Sequence, residues 1–334
     1  MNDYRISQII KQYPPLKGFL ENMGLPLENI DLLIEDYLRL LDDLLLEEVG
    51  LKREELFEII ESYLHFLQEI NEQKDRIESL TIQGGEDKSG NNEDIAFNVK
   101  VGEIVCIVGP TGSGKSRLLE DIEWMTQGDT PTKRKVLING ADPGVKSRFS
   151  YVQRPVAQLS QNMNFVMDIT VGEFIKMHAE SRMMENIAYL VDVVVNQANL
   201  LCGERIHKEM PLTSLSGGQS RALMIADTAS VSISPIVLID EIENAGINRK
   251  TALELLIKHD KIVFIATHDP ILALMGHKRL VMQNGGMARI IDRTAKEQAV
   301  LQKLEIMDSM INEVRQILRE GHSLDEIEPL ALLR

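Results

Sequence analysis

The chain has 334 residues, 44% of them hydrophobic, with two cysteines and a formal net charge of −15. This length predicts two units of unequal size, since one hydrophobic core seldom organises so many residues. The sequence has no signal-peptide pattern and no uncharged apolar run of about 18 residues, so we expect a cytoplasmic protein, with peripheral attachment to the inner face of a membrane as an alternative. Two cysteines are too few for a disulfide framework or a zinc site.

Acidic residues are concentrated near the N-terminus, where residues 1–80 hold 18 Asp and Glu against 8 Lys and Arg. Proteins bind a polyanion by neutralising its phosphates with cations, so this surface would repel nucleic acid. The acidity is typical of a solvated helix face or of a docking surface for a basic partner.

Helical patterns dominate the first 80 residues. In the segment 6–25, Pro14 and Pro15 are expected to end one short helix and Gly24 another. Apolar residues then recur every three or four positions over 29–80, which predicts two antiparallel helices. We therefore expect an acidic, all-α N-terminal region of 80 residues.

Short β-branched runs alternate with helical patterns after a loop-forming stretch, QGGEDKSGNNED, at 83–94. This stretch either separates the helical region from the rest or forms a long hairpin loop inside the next domain. The alternation predicts an α/β domain with a mainly parallel, buried sheet. Its strands are predicted at EIVCIVG, KVLING, RFSYVQ, IVLIDE, KIVFIATHD and KRLVMQNG.

The C-terminal region, 294–334, is again helical in pattern. Apolar residues there step by four and three in turn, a heptad seam that we expect to pack on another helix of the chain, with a coiled-coil dimer as the alternative. The seam residues are Val300, Leu304, Met307, Ile311, Val314 and Leu318.

A glycine-rich loop follows the strand pattern EIVCIVG and precedes a helix pattern. The stretch GPTGSGKS at 109–116 matches G-x-x-x-x-G-K-S. Glycines let backbone N–H groups converge on phosphate oxygens, and the helix N-terminus adds its positive end. Lys115 would reach the outer phosphates and Ser116 would offer a hydroxyl to Mg²⁺. The expected phosphate-binding residues are Gly109, Pro110, Thr111, Gly112, Ser113, Gly114, Lys115 and Ser116.

Two carboxylates, Asp240 and Glu241, end the predicted strand IVLIDE. Beside a phosphate loop, one such carboxylate can hold Mg²⁺ through water and the other can polarise a water for attack on the γ-phosphate. We assign Asp240 to the metal and Glu241 to the water.

A second helix start suited to an anion occurs at LTSLSGGQ, residues 212–219. It has free N–H groups and a hydroxyl. Because the chain already has one triphosphate loop, this segment is expected to serve a γ-phosphate bound by another copy of the chain. The residues concerned are Ser216, Gly217, Gly218 and Gln219.

Five motifs, in order along the chain, resemble those of the nucleotide-binding domain of the ATP-binding cassette (ABC) family. GPTGSGKS is similar to its Walker A loop, LSGGQ is identical to its signature sequence, and IVLIDE resembles its Walker B strand. Gln153 in YVQRP matches the Q-loop, and His268 in IATHDP matches the switch histidine. The resemblance implies an ABC-type P-loop NTPase domain over 81–293 with a mainly parallel sheet and a helical subdomain at about 155–228.

The resemblance also implies an ATP hydrolase that works as a head-to-tail homodimer, with two ATP molecules and Mg²⁺ at the interface. Each site would combine residues 109–116 of one copy with residues 216–219 of the other. Gln153 would contact Mg²⁺ and the γ-phosphate, and His268 would contact the γ-phosphate and help to position the water. The implied catalytic set is Glu241, His268 and Gln153, and the implied metal set is Ser116, Gln153 and Asp240.

The chain departs from the family pattern in two places. The family's D-loop contains an aspartate, whereas the matching positions here, 244–247, read Asn-Ala-Gly-Ile. The aspartate of the D-loop that touches the opposite ATP site in the family is therefore missing here. The aromatic residue that stacks on adenine in the family is also missing, because Phe97 is the only aromatic residue between Leu80 and Val108 and we expect it in the core. ATP rather than GTP is thus implied by the family alone.

Most members of this family power membrane transporters, so we expect an ATPase subunit that works with transmembrane subunits. The alternative is a soluble ABC ATPase that remodels or activates a cytosolic protein, with the helical ends supplying the partner site. The segment 6–25 resembles a small helical domain found beside iron–sulfur and redox proteins, which adds a redox or metalloprotein to the candidate clients. Glu241 and His268 argue against a merely regulatory ATP-binding subunit.

Overall fold

The computed structural model divides the protein into two compact units, Met1–Arg76 and Ile77–Arg334. The division falls before the expected boundary at residue 80, since Leu80 belongs to the first β-strand. The described residues are 5–13, 15–72, 77–144, 148, 155–160, 165–182, 184, 186–241 and 247–323.

The first unit is all-helical. Pro15 begins its second helix and Gly24, with a φ of 71°, follows the end of that helix. The expected pair of helices over 29–80 is wrong, because Leu41 is extended and Gly50 has a left-handed φ of 72°, so three helices form. The helices are α1 (Ile6–Gln12), α2 (Pro15–Asn22), α3 (Ile34–Leu40), α4 (Asp43–Val49) and α5 (Arg53–Glu72).

One apolar cluster holds this unit together. Tyr37 is buried within it, and its hydroxyl donates to the Pro26 carbonyl oxygen at 2.8 Å, so the buried polar group is satisfied. Burial raises the pKa of Tyr37 to about 12. Other members of the cluster are Ile6, Ile9, Leu16, Leu20, Leu25, Ile34, Leu38, Leu41, Leu46, Leu56, Ile60 and Leu64.

The second unit is α/β. Its strands are β1 (Ser79–Gln83), β2 (Ala96–Lys100), β3 (Ile104–Val108), β4 (Lys135–Ile138), β5 (Val156–Leu159), β6 (Ile236–Asp240), β7 (Ile262–Ala266), β8 (Lys278–Gln283) and β9 (Gly286–Asp292). Its helices are α6 (Lys115–Glu123), α7 (Val171–Ser181), α8 (Ile187–Leu201), α9 (Gly217–Ser230), α10 (Arg249–Lys258), α11 (Pro270–Met275) and α12 (Ala295–Arg319). No helix in the described part of the chain is both long enough and apolar enough to cross a bilayer.

Among the described residues, three strands form a small antiparallel sheet in the order β2-β1-β4. The predicted strand KVLING is therefore a member of this sheet and not of the parallel one. Residues 84–95 connect β1 to β2, so the Gly- and Asn-rich stretch is a hairpin loop inside the unit, and its alternative role as a separator is wrong.

In the part of the chain that the structure describes, six strands form the main sheet in the order β5-β6-β7-β3-β8-β9, and of these only β9 is antiparallel to its neighbour. This confirms the predicted, mainly parallel sheet. Its central strands are buried on both faces, as their apolar runs require. Cys106 in β3 is fully buried, and burial raises the pKa of its thiol to about 12. The predicted strand RFSYVQ lies outside the described residues apart from Arg148.

Helices α7, α8 and α9 pack on one another through a shared apolar cluster. They lie in the stretch expected to form the helical subdomain. The expected start of that subdomain, about residue 155, instead falls at β5, which pairs with β6 in the main sheet.

The C-terminal helix α12 packs through a different face from the one expected. Val300, Met307, Ile311 and Leu318 of the heptad seam are 49–57% exposed, whereas Leu301 beside them is buried. Charged side chains of the same helix pair with β8 and α10. The expected packing of the seam within the chain is therefore wrong for these four residues.

Candidate active site

The glycine loop 109–114 connects the central strand β3 to α6. Gly112 and Gly114 have φ values of 76° and 101°, which favour glycine. Gly114 also packs closely, since a Cβ there would lie 2.9 Å from the Cα of Gly285 in the turn between β8 and β9. Backbone conformation accounts for the glycine at 112, and backbone conformation together with close approach accounts for the glycine at 114.

Lys115 is the first residue of α6, and its side chain turns back toward the loop. Its Nζ donates to the carbonyl oxygens of Gly109 at 3.0 Å and Pro110 at 3.3 Å, and the residue is only 8% exposed. Both acceptors are neutral, so these contacts leave the positive charge available to phosphate oxygens, which form stronger, charge-assisted bonds.

Ser113 supplies a second sign that the loop accepts an anion. Its Oγ is buried and has no hydrogen-bond partner among the described residues, whereas buried hydroxyls nearly always have one. The first N–H groups of α6 also have no partners within the helix. The loop, Lys115 and the start of α6 therefore fit a chain of phosphate groups.

Strand pairing brings Glu241 and His268 together. Asp240 at the end of β6 lies opposite Ala266 of β7, and the Glu241 N–H donates to the Ala266 carbonyl oxygen at 3.0 Å. His268 follows two residues after Ala266, and its Nε2 lies 3.8 Å from Glu241 Oε1. The carboxylate assigned to the water and the imidazole assigned to the γ-phosphate are thus neighbours.

The strand order places this pair at the edge that carries the glycine loop. β7 lies between β6 and β3 and runs parallel to both, and the Thr267 N–H donates to the Ile107 carbonyl oxygen at 3.1 Å. Carboxyl ends of parallel strands meet at one edge, where ligands bind. Glu241 has a left-handed φ of 51°, uncommon for a residue with a side chain and frequent at functional sites.

The LSGGQ segment begins α9 and forms most of its hydrogen bonds within itself. Ser216 Oγ accepts from the Gln219 N–H at 3.3 Å, and Gln219 Oε1 accepts from the Ser216 N–H at 2.9 Å. This capping box leaves Ser216 and Gly217 exposed. Among the described hydrogen bonds, none joins this segment to residues 109–116. Among the predicted site residues that the structure describes, the phosphate loop and the signature segment thus form two groups that none of these hydrogen bonds connects.

Two predicted features lie outside the described residues. Gln153 falls in the stretch 151–154, and the first three D-loop positions fall in 242–246. Ile247, the last of the D-loop positions, is buried and bridges to Cys202. Phe97 is buried in the core, as predicted.

A buried group of three charged side chains near the loop was not predicted. Arg134 pairs with Glu93 Oε1 at 2.5 Å and with Asp121 Oδ2 at 3.0 Å, and all three side chains are at most 2% exposed. They come from the residue before β4, from the hairpin loop 84–95 and from α6. Single charged residues in such places carry no spacing signal, so nothing in the sequence marks them as partners.

A second unpredicted link runs from the switch histidine to the C-terminal helix. Asp269, next to His268, caps α11 and pairs with Arg249 at 2.5 Å. Arg249 also pairs with Asp308 of α12 at 3.1 Å. The segment that carries His268 is thus tied to α12 by two ion pairs.

A glycine loop between a buried parallel strand and a helix, with carboxylates at the end of a strand in the same sheet, defines the class of P-loop nucleoside triphosphatases. Comparison with known proteins identifies the family. The family model described as ABC transporter matches residues 92–244.

An uncharacterized ABC transporter ATP-binding protein of Methanocaldococcus jannaschii is 54% identical over 251 residues, which cover 74% of this chain and 95% of that protein. The lipoprotein-releasing system ATP-binding protein LolD of Ehrlichia ruminantium, strain Gardel, is 29% identical over 213 residues, or 59% of this chain and 88% of LolD. The solved structure of cbiO1 from Clostridium perfringens, described as part of the ABC transporter complex cbiONQ, shares the fold with a TM-score of 0.50 at 20% identity, covering 71% of this chain and 96% of that one.

This chain therefore belongs to the ABC transporter family, as one of its ATP-binding, ATP-hydrolysing proteins. The family predicted from the five motifs is confirmed.

Proposed function

We propose that two copies of this chain close around two ATP molecules, and that hydrolysis reopens them to drive the transmembrane subunits of a transporter. The observation that carries this proposal is the separation of two half-sites. Residues 109–116 form a phosphate loop at the edge of the sheet, whereas the exposed Ser216 and Gly217 lie at the start of α9, and no described hydrogen bond joins residues 216–219 to that loop.

In the proposed site, the phosphate chain of ATP lies along the glycine loop. The N–H groups of the loop and of the first turn of α6 donate to phosphate oxygens, and Lys115 exchanges its bonds to Gly109 and Pro110 for stronger ones to phosphate. Ser113 Oγ, which is buried without a partner among the described residues, lies in the same loop and can donate to phosphate or loop oxygens.

Ser116 and Asp240 are the residues proposed to hold Mg²⁺, with Gln153 as a third ligand. Among the described residues, no group of three or more His, Cys, Asp and Glu side chains could hold a metal by itself. Mg²⁺ commonly binds through one or two protein oxygens together with substrate phosphates and water, which fits a hydroxyl and a single carboxylate. When bound, the ion would neutralise charge on the β- and γ-phosphates.

Glu241 is proposed to orient and polarise the attacking water. Its carboxylate lies 3.8 Å from His268, so one water can contact both side chains while it faces the γ-phosphate. His268 would donate to a γ-phosphate oxygen and hold the water in line for attack. In this arrangement the two residues act as a unit.

The partner copy is proposed to supply Ser216, Gly217, Gly218 and Gln219 to the γ-phosphate. The Ser216 Oγ accepts the capping bond from Gln219, so its hydroxyl proton remains available to a phosphate oxygen. Moving a closed–open equilibrium from 1:99 to 99:1 requires about 5.5 kcal/mol of differential binding. Two γ-phosphates that each gain charge-assisted hydrogen bonds worth about 1.5–3 kcal/mol apiece can supply this energy.

The test is an ATP-dependent dimer of the Glu241→Gln variant. The amide keeps the shape of the side chain but cannot polarise the water as a carboxylate does, so ATP should persist and the closed dimer should accumulate. We expect size-exclusion chromatography with Mg²⁺ and ATP to show a dimer of this variant, and a monomer when ADP replaces ATP. Glu254→Gln, an exposed change on α10, is the matched control and should not trap a dimer. A Glu241→Gln protein that stays monomeric in ATP would contradict the two-copy site.

The partner of this dimer is proposed to be membrane-bound, with a soluble client as the second candidate. The first unit favours the second candidate, because it provides a separate, acidic helical body of 76 residues outside the matched family region. Affinity purification with the ATP-trapped Glu241→Gln dimer separates the two. Recovery of integral membrane subunits supports the transporter, and recovery of a soluble complex supports the client.

A further inference from the structure

The phosphate loop is held from outside by two donors that the ABC motifs do not include. Lys88 Nζ donates to the Gly112 carbonyl oxygen at 2.7 Å, and the Gly285 N–H donates to the Ser113 carbonyl oxygen at 2.9 Å. The acceptors are consecutive carbonyls of the loop. Bonds to these carbonyls fix the orientation of the peptide planes that follow them, and therefore of the N–H groups available to phosphate.

The two donors belong to one local structure. The stem of Lys88 lies against Gly285, where a Cβ would come 2.5 Å from Lys88 Cγ. The Lys88 N–H donates to the Asn284 carbonyl oxygen at 3.0 Å, and the Asn284 side chain donates to Asp87 at 3.2 Å and Ser89 at 2.8 Å. The hairpin loop 84–95 and the turn between β8 and β9 thus approach the phosphate loop together.

The buried charged group anchors this pair of turns to the sheet and to α6. Arg134 donates to the Gly285 carbonyl oxygen at 2.7 Å and to Asp121 of α6 at 3.0 Å. Glu93, paired with Arg134, also accepts from the N–H groups of Gly85 at 3.1 Å and Met287 at 2.8 Å. Helix α6 begins at the phosphate loop, and the turn at Gly285 donates to it. Both elements that contact the loop are therefore bonded to the same buried cluster.

We propose that Lys88 is a positioning residue for nucleotide binding: its ammonium on the Gly112 carbonyl holds the phosphate loop in the conformation that accepts the β-phosphate. This inference rests on the nucleotide-binding role proposed above for residues 109–116. Lys88 acts through the loop and contacts no substrate. Its loss therefore weakens the binding of every nucleotide whose phosphates lie along the loop. The loss of affinity is equal for ADP and ATP.

The experiment measures the Kd of ADP and of ATP for the full chain and its variants by equilibrium titration with a fluorescent nucleotide as competitor. Lys88→Met keeps the apolar stem on Gly285 and removes the donor, and we expect both Kd values to rise about tenfold. Lys88→Arg restores a donor and should return both values to within about twofold of wild type. Lys133→Met is the matched control, because Lys133 pairs with Glu86 of the same hairpin loop at 2.6 Å without touching the phosphate loop. Its Kd values should not change.

A rise for ATP alone would contradict the proposal, since it would indicate a direct contact with the γ-phosphate. Unchanged Kd values in Lys88→Met, with wild type binding both nucleotides, would also overturn it and leave the site itself intact. Wild-type protein that binds neither nucleotide would refute the role of residues 109–116, and the Lys88 proposal would fall with it. An equal loss in Lys88→Met and Lys133→Met would show general loosening of the hairpin loop and would contradict a specific role of Lys88.

Discussion

Two helices of the second unit, α6 and α9, begin at glycine-containing segments, and their first turns are held in different ways. The loop before α6 is fixed by Lys88, by Gly285 and by the buried charges around Arg134. The start of α9 is fixed by its own capping box between Ser216 and Gln219, and its first residues face outward.

The loop before α6 is therefore preorganised for a ligand, whereas the start of α9 is an exposed surface. A loop whose carbonyls are held by other parts of the fold keeps its N–H groups directed at a ligand and loses little entropy on binding. A self-capped, exposed helix start forms most of its hydrogen bonds within itself and leaves its first residues accessible to a ligand bound elsewhere. The proposed two-copy ATP site would combine the two, with the held loop of one chain and the self-capped helix start of the other.

The largest expected effect is on the buried charges that support the first helix start. Arg134→Met leaves Glu93 and Asp121 buried without their cation, so we expect the free energy of unfolding of the second unit to fall by about 3–5 kcal/mol. Urea unfolding followed by circular dichroism measures this change. Arg117→Met is the control, because Arg117 also approaches Asp121, at 3.7 Å, but is 40% exposed; it should cost below about 1 kcal/mol. An equal loss of unfolding free energy in the two variants would contradict the expectation that burial makes the Arg134 ion pairs more important than the exposed one.

A smaller effect, on the affinity for ATP, is expected when Lys115 at the start of α6 is replaced. Lys115→Ala deletes the charge-assisted bonds to phosphate, which predicts a rise of about a hundredfold in the Kd of ATP. Isothermal titration calorimetry checks this value. Lys176→Ala removes an exposed lysine of α7 and should bind as wild type does. If Lys115→Ala keeps wild-type affinity, the phosphate-loop assignment is wrong.

The smallest effect is expected at the start of α9, and it tests directly whether this helix start differs in role from the start of α6. Ser216→Arg places a bulky side chain at the exposed cap, so the second copy cannot close. The ATPase rate should fall at least tenfold, while the Kd of ATP for a single copy stays within about twofold of wild type. Steady-state phosphate release and equilibrium titration measure the two quantities. Ser181→Arg, an exposed change at the end of α7, is the control. Loss of ATP binding in Ser216→Arg would place the signature segment within its own chain's site.

The local motifs were predictable because neighbouring residues alone generate them. Gly112 and Gly114 adopt left-handed φ values, and Lys115 starts the helix that the pattern predicts. The family, the ATPase class and the mainly parallel sheet follow from such motifs and are confirmed. The roles of the individual site residues stay predictions: residues 109–116, Gln153, 216–219, Asp240, Glu241 and His268.

The misplaced elements depended on a backbone conformation and on contacts that apolar periodicity does not show. The apolar spacing over 29–80 predicts long helices, but Gly50 takes a left-handed φ and ends α4. The heptad seam of α12 predicts packing through Val300, yet ion pairs to β8 and α10 and the buried Leu301 set the helix on another face.

The sequence by itself determined what each segment can do: the glycine loop, the carboxylates that end β6, the histidine after β7 and the capped signature helix are all chemistry of short range. Tertiary structure alone decided which distant groups meet. It set Glu241 3.8 Å from His268 through the pairing of two strands, and it brought Lys88 to Gly112 through a hairpin loop and a turn. The physical reason is that hydrogen bonds and ion pairs depend on distance in space. The sequence around a single polar residue does not reveal which distant residue will become its partner in the folded chain.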